Sequence, residues 1–335
     1  MITETEEQFT EPPAEESSWK YQLQHSIFTK EELEKHLTLT KEEEDYFNHE
    51  HSNHIKFKIT PYYLDLIKKH NVLRKTMIPT SNEFLISEEE SDDPLDEDKV
   101  RPLPNIFHRY KNRILLLSTN QCSSFCRFCT RSRLIGNETE NNLEEALNYI
   151  KEHREVNDCI ISGGDALLNS NDKLYYILSE LNKIEHVKIL RLGTKVPAVM
   201  PMRIDNDLVN MLSEFWRKLY INIHFSHYVE LTTQTKIACL KLAKAGVGLG
   251  SQTVLLAGVN DNAEILKKLF QDLLSIKVLP KYLYSMDRIK GSKHFFVPIE
   301  KGKEIMRELH DGSISGMAIP KYVLDSAEGK KIIHF

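Results

Sequence analysis

RILLLSTNQCSSFCRFCTRSR, residues 113–133, runs from a short apolar segment into three cysteines, Cys122, Cys126 and Cys129, with arginines close behind. The apolar run reads as a buried strand, which puts the cysteines on the loop beyond its end. Spacings of four and three on such a loop let three sulfurs converge on one centre. A structural zinc would usually take four protein ligands, commonly as two Cys-x-x-Cys pairs, and no second pair follows. Cys159 and Cys239 are isolated, within a strand and a helix candidate, and read as small buried hydrophobes. Three thiolates on a four-iron cluster leave one iron without a protein ligand, open to a substrate or cofactor.

Further strand candidates follow at DCIIS (158), KILRL (188), LYINIHF (219), GLGSQTVLL (248) and PKYLYSM (280), with amphipathic segments such as NLEEALNYIKEH and DKLYYILSELNKI between them. Strands alternating with helices imply a parallel sheet, because parallel neighbours need crossover connections. Six units are fewer than the eight of a closed barrel, so the expected fold is α/β, a partial (β/α)6 barrel over residues 106–290. CSSFCRFC, ISGGD (161–165), HFSH and Asp287 all fall just past the C-terminal ends of strands, the face where α/β barrels place their sites. Gly163 and Gly164 would allow close backbone approach there.

The rest of the 335 residues frames this unit. At 41% hydrophobic and 28% charged, the chain can bury one sizeable core with an appended segment, or form two domains. The N-terminus lacks the basic and apolar regions of a signal peptide, and no apolar run approaches a membrane span, so a cytoplasmic location and no membrane partner are expected. A net charge of −5 with scattered basic residues gives no footprint for nucleic acid. Residues 1–17 read as a loose acidic tail. Residues 18–105 read as a helical region: Thr29 and Thr40 each stand three residues before a glutamate as capping boxes, and Thr60 precedes Pro61 at a third helix start. Within that region 87–104 reads as an exposed acidic connector, and 291–335 as a short C-terminal segment.

The Cys-x-x-x-Cys-x-x-Cys pattern opening the first loop of a six-strand barrel resembles the radical S-adenosylmethionine (SAM) superfamily. WKYQLQHSIFTKEELEKHL, ITPYYLDLI, DPLDED, HRYKNRILLL, CRFCTRSR, ISGGDALL, VNDN and HDGSISGMAIPKYVLD narrow this, resembling the lysine 2,3-aminomutase family in the family's own order. The resemblance implies a [4Fe-4S] cluster on the three cysteines, with SAM on the open iron against Ser162, Gly163, Gly164, Asp165, His224 and Gln252. It implies pyridoxal 5′-phosphate (PLP) contacted by Arg109, Tyr110 and Arg113. It puts Arg131 on the substrate carboxylate, and Asp287 and Asp325 on the distal ammonium of a basic amino acid. An electron donor such as flavodoxin or ferredoxin and a possible homo-oligomer come with it.

The match weakens at the PLP lysine. The family's glycine-rich loop is reduced to Gly329 in DSAEGKKIIHF, and gapless matching puts Ile332 at the lysine position, leaving Lys330 and Lys331 as candidates. Larger relatives have a cysteine-rich zinc site; Asn262 stands at one of its positions, so no zinc is expected. The alternatives are a sister aminomutase on arginine or ornithine, lysine isomerisation for attachment to an elongation factor, or a degenerate iron-sulfur protein without PLP or turnover.

Overall fold

A computed structural model describes residues 18–49, 56–136 and 142–335; the expected acidic tail, 1–17, lies outside them. Two strands form a hairpin across Lys111 and Asn112: β1 (Ile106–Tyr110) and, antiparallel to it, β2 (Arg113–Thr119). From β2 the sheet runs parallel through β3 (Asp158–Gly163), β4 (Ile189–Thr194), β5 (Leu219–His224), β6 (Gly248–Leu255) and β7 (Leu279–Ser285). These are the six strands read from the sequence. The sheet then continues beyond them, with β8 (Lys321–Leu324) parallel to β7 and β9 (Lys331–Ile332) antiparallel to β8. Strand order follows chain order and the sheet is not closed. The six-unit barrel is therefore a nine-stranded sheet, its two edges blunted by the antiparallel β1 and the very short β9.

The period of two along each strand decides what faces where. Leu116, Cys159, Ile161, Leu190, Leu192, Leu219, Ile221 and Ile223 are fully buried and join one core with helix residues such as Leu178 and Phe270. Their alternates, including Ser162, Arg191, Asn222, His224, Gln252 and Tyr284, line a cavity instead. Among the described residues no helix is long and apolar enough to cross a membrane.

The helical region forms as its caps dictate. Thr29 and Thr40 close capping boxes with Glu32 and Glu43, and Thr60 caps the helix that Pro61 opens. This region also grips the cysteine loop. Phe125 N–H donates to Lys58 O and Arg127 N–H to Thr76 O, each at 3.0 Å, while Lys58 Nζ donates to the carbonyl of Cys122 at 2.9 Å. The Arg127 guanidinium, 1% exposed, forms a bidentate pair with Glu83 at 2.8 and 2.5 Å. Removing one partner of such a pair strands the other, so Arg127→Met should cost about 3–5 kcal/mol of unfolding free energy in a denaturant titration. The double variant Arg127→Met, Glu83→Leu should recover most of that loss; equal destabilisation of the two variants would contradict the assignment.

One expectation fails here. Segment 87–104 is not simply an exposed connector, because its acids find arginines on the cysteine loop that sequence spacing does not reveal. Asp93 and Asp98 pair with Arg133 at 3.1 and 3.0 Å, and Glu97, 5% exposed, pairs with Arg131. Ser91 bridges to the loop after β7, its N–H donating to Arg288 O and its carbonyl accepting from Lys290 N–H.

Candidate active site

A cavity of about 420 Å³ opens at the C-terminal ends of the parallel strands. All three clustered cysteines line it, whereas Cys159 and Cys239 are buried elsewhere in the core. Burial pushes the Cys126 thiol up to about 12 and raises Cys122 and Cys129 as well, so deprotonation must be coupled to metal binding. Among the described residues no group of three or more His, Cys, Asp or Glu is gathered around a single-ion position. A cluster that gives each thiolate its own iron does not ask for one.

Beside the cysteine loop, the exit of β3 comes into backbone contact with the exit of β2. Gly164 N–H donates to Thr119 O and Asp165 N–H to Gln121 O, both at 2.8 Å. A Cβ on Gly163 (φ +126°) would stand 1.9 Å from Thr119 O, and one on Gly164 2.0 Å from Gln121 O, so no other residue fits. The Asp165 carboxylate, expected near SAM, is engaged inside the fold: it accepts from Thr194 Oγ1 and Lys195 N–H at 2.6 Å and from Leu167 N–H at 3.1 Å. It braces β3 against β4 and leaves Ser162 and the glycine backbone toward the cavity.

His224 is held neutral, its pKa lowered to about 3 by burial and then by Lys195. Its Nε2 is buried with no hydrogen-bond partner among the described residues. Gln252 Nε2 donates to the Tyr284 hydroxyl at 3.3 Å. Lys195 and Glu230 form an ion pair at 2.8 Å, with Glu230 fully buried and also accepting from the Tyr63 hydroxyl at 2.7 Å. No sequence signal pointed to this pair, whose members are 35 positions apart.

The remaining candidates line the same cavity, with Asp287 directly against the cysteine loop. Asp287 Oδ2 accepts from Thr130 Oγ1 at 2.8 Å, while Oδ1 is buried without a partner among the described residues. Burial, with Asp325 adding to it, raises the Asp287 carboxyl to about 6. Asp325 is also raised by burial, against the pull of Lys330, whose Nζ lies 3.8 Å away. Lys330 Nζ donates to Tyr284 Oη at 2.5 Å and sits 4.3 and 4.4 Å from the ring centres of Tyr282 and Tyr284. Burial brings its ammonium down to about 8.

Gly329 (φ +112°) makes the turn that sends Lys330 inward, and the Tyr110 hydroxyl accepts Lys330 N–H at 2.8 Å. Lys331 points the other way, exposed and paired with Glu328 at 2.5 Å. Arg109 donates to the carbonyls of Ser326 and Ala327 at 2.8 and 2.6 Å, and Arg113 stacks on Tyr110 and pairs with Asp158 at 3.2 Å. Both arginines line the cavity but already have partners.

A model of the radical SAM superfamily matches residues 116–270. The chain is 43% identical over 321 residues to the L-lysine 2,3-aminomutase of Acetoanaerobium sticklandii, a match covering 93% of this chain and 77% of that one. The chain belongs to the lysine 2,3-aminomutase family of radical SAM enzymes. The L-lysine 2,3-aminomutase of Clostridium subterminale is 42% identical, covering 94% of this chain and 77% of its own. The glutamate 2,3-aminomutase of Clostridioides difficile is 40% identical, covering 93% of this chain and 75% of its own.

As a family member the protein is a radical SAM isomerase of the aminomutase kind, with a [4Fe-4S] cluster and SAM as its cofactors. The residues present fit them. Three thiols share one cavity, and the buried His224 Nε2, without a partner among the described residues, suits a polar adenosyl ligand. Identity alone does not choose a substrate, since lysine and glutamate aminomutases stand at 43% and 40%.

Proposed function

We propose that this protein is a PLP-dependent L-lysine 2,3-aminomutase, moving the 2-amino group of lysine to carbon 3 to give β-lysine. The observation that carries the reading is Asp287: a half-buried carboxylate whose buried Oδ1 has no partner among the described residues, in the same cavity as Asp325, Arg131 and the cysteines. A buried carboxylate oxygen without a donor is costly and calls for a cation. The ε-ammonium of lysine is such a cation, while the side-chain carboxylate of glutamate would meet two negative groups.

Held by Cys122, Cys126 and Cys129, the cluster with SAM would supply a 5′-deoxyadenosyl radical for hydrogen abstraction, and PLP an aldehyde to carry the migrating nitrogen. Ser162, Gly163, Gly164, His224 and Gln252 would hold SAM. Lys330 suits PLP attachment, because an amine near pKa 8 keeps an appreciable neutral, nucleophilic fraction at physiological pH. Tyr110 orients that lysine, and Arg109 and Arg113 would turn to the phosphate dianion, for which guanidinium forks are suited. Arg131 would orient the substrate carboxylate while Asp287 and Asp325 fix the far end, so the distance between them selects chain length. The cluster would draw its electron from a flavodoxin- or ferredoxin-type donor.

The Asp287 carboxyl must be ionised to receive the ammonium. Since its pKa is raised to about 6, kcat/KM for lysine should climb as pH rises through about 6 and fall away below it. Asp287→Asn should lower kcat/KM about a hundredfold or more and abolish that acid limb, because the buried ammonium loses its partner. A pH–rate profile of both proteins checks this, and an unchanged limb in Asp287→Asn would refute the role. Comparing lysine with ornithine, arginine and glutamate in the same assay tests the substrate.

A further inference from the structure

Glu97 lies in the acidic connector, 34 positions from Arg131 in sequence, yet it lines the cavity and engages Arg131. Its carboxylate takes the guanidinium side-on: Oε2 accepts from Nε at 3.1 Å and Oε1 from Nη2 at 2.6 Å. A guanidinium has two bidentate edges, Nε with Nη2 and Nη1 with Nη2. Glu97 fills the first and leaves the second: Nη1 is neither hydrogen-bonded among the described residues nor buried without a partner. A second carboxylate can therefore bind Arg131 without displacing Glu97.

Glu97 is itself firmly placed. Its N–H donates to Asp93 Oδ1 at 3.0 Å, and Asp93 pairs in turn with Arg133 of the cysteine loop. The same connector is tied to the loop carrying Asp287, through Ser91 to Arg288 and Lys290, and through Glu90 Oε1 to Ser292 N–H at 3.0 Å. One segment thus spans both ends of the expected substrate, the arginine and the carboxylate.

We propose that Glu97 is a positioning residue for substrate recognition: it locks Arg131 with its Nη1–Nη2 edge free for an α-carboxylate, and the connector sets the spacing from that edge to Asp287. This rests on the amino-acid reading given above. A carboxylate that instead competed with substrate for Arg131 would occupy the end-on edge, which Glu97 does not.

The test uses cluster-loaded protein with SAM and PLP, without reductant for calorimetric binding and with reductant for kinetics. The probes are L-lysine and L-lysinamide, which lacks the carboxylate. Glu97→Ala should weaken lysine binding and raise its KM about tenfold to a hundredfold, as expected for losing hydrogen bonds to a charged group, with a smaller change in kcat. Lysinamide binding should be unaffected by the substitution. Glu97→Asp, which keeps the charge, should recover part of the lysine affinity, and Glu97→Gln, which keeps one acceptor, should fall between; both also serve if Glu97→Ala does not fold. Lysine bound as tightly or more tightly by Glu97→Ala, or lysine and lysinamide weakened alike, overturns the inference while leaving the lysine reading intact. Unaltered protein that holds its iron yet binds no lysine overturns both.

Discussion

Cys126→Ala is expected to leave anaerobically reconstituted protein with well under half its iron and sulfide and with no cleavage of SAM. Cys122→Ala and Cys129→Ala should do the same, because a cluster with one open iron has no spare protein ligand. The effect should be all or none in activity, since every later event depends on the radical generated there. Cys159→Ala and Cys239→Ala supply the contrast. Both thiols are fully buried in the apolar core, away from the cavity, so these variants should lose some stability through the small void but keep the iron of the unaltered protein. Iron and sulfide analysis with the cluster's absorbance decides the matter. Near-normal iron after losing any one of the first three cysteines would show that another residue completes the cluster.

Lys330→Ala should be the other variant without measurable turnover. The ammonium of Lys330 lies against two tyrosine rings inside the cavity, whereas Lys331, one residue on, is exposed beside Glu328. Borohydride reduction of PLP-loaded protein followed by peptide mapping should place the label on Lys330. Lys331→Ala should retain both label and activity. Lys330→Ala should still hold its cluster, which separates loss of the PLP anchor from loss of the fold. A label on Lys331, or none with full activity, would refute the placement. Gly329 is the backbone reason for the choice: with φ at +112° and a Cβ position only 3.1 Å from the Tyr110 ring, it turns the chain so that Lys330 enters and Lys331 leaves.

What the sequence disclosed, and what it hid, follows from the range of the interactions. The six parallel strands were legible because each is an apolar run bounded by amphipathic helices, and the capping boxes at Thr29 and Thr40 because a cap is written within four residues. The β8 strand, KYVL, and the two-residue β9 are too short to carry a period, and they form because β7 offers an edge to pair with. The acidic connector looked exposed because its charge was visible while its partners, Arg131 and Arg133, were not. Lys195, Glu230 and Tyr63 escaped for the same reason, being a buried network assembled from three distant segments. Gly163 and Gly164 were legible as points of close approach, but what approaches them here is the backbone at the end of β2 and the start of the cysteine loop.

If one cavity joins a SAM-cleaving cluster to a site built for a diamino acid, the protein should turn over lysine and not glutamate. Anaerobically reconstituted protein is incubated with SAM, PLP, a strong reductant and either L-lysine or L-glutamate, and the β-amino acids formed are quantified. Catalytic formation of β-lysine, with β-glutamate near background, is the result the two aspartates of the cavity predict. Formation of β-glutamate at a comparable rate, or SAM cleavage with no β-amino acid from lysine, would contradict it.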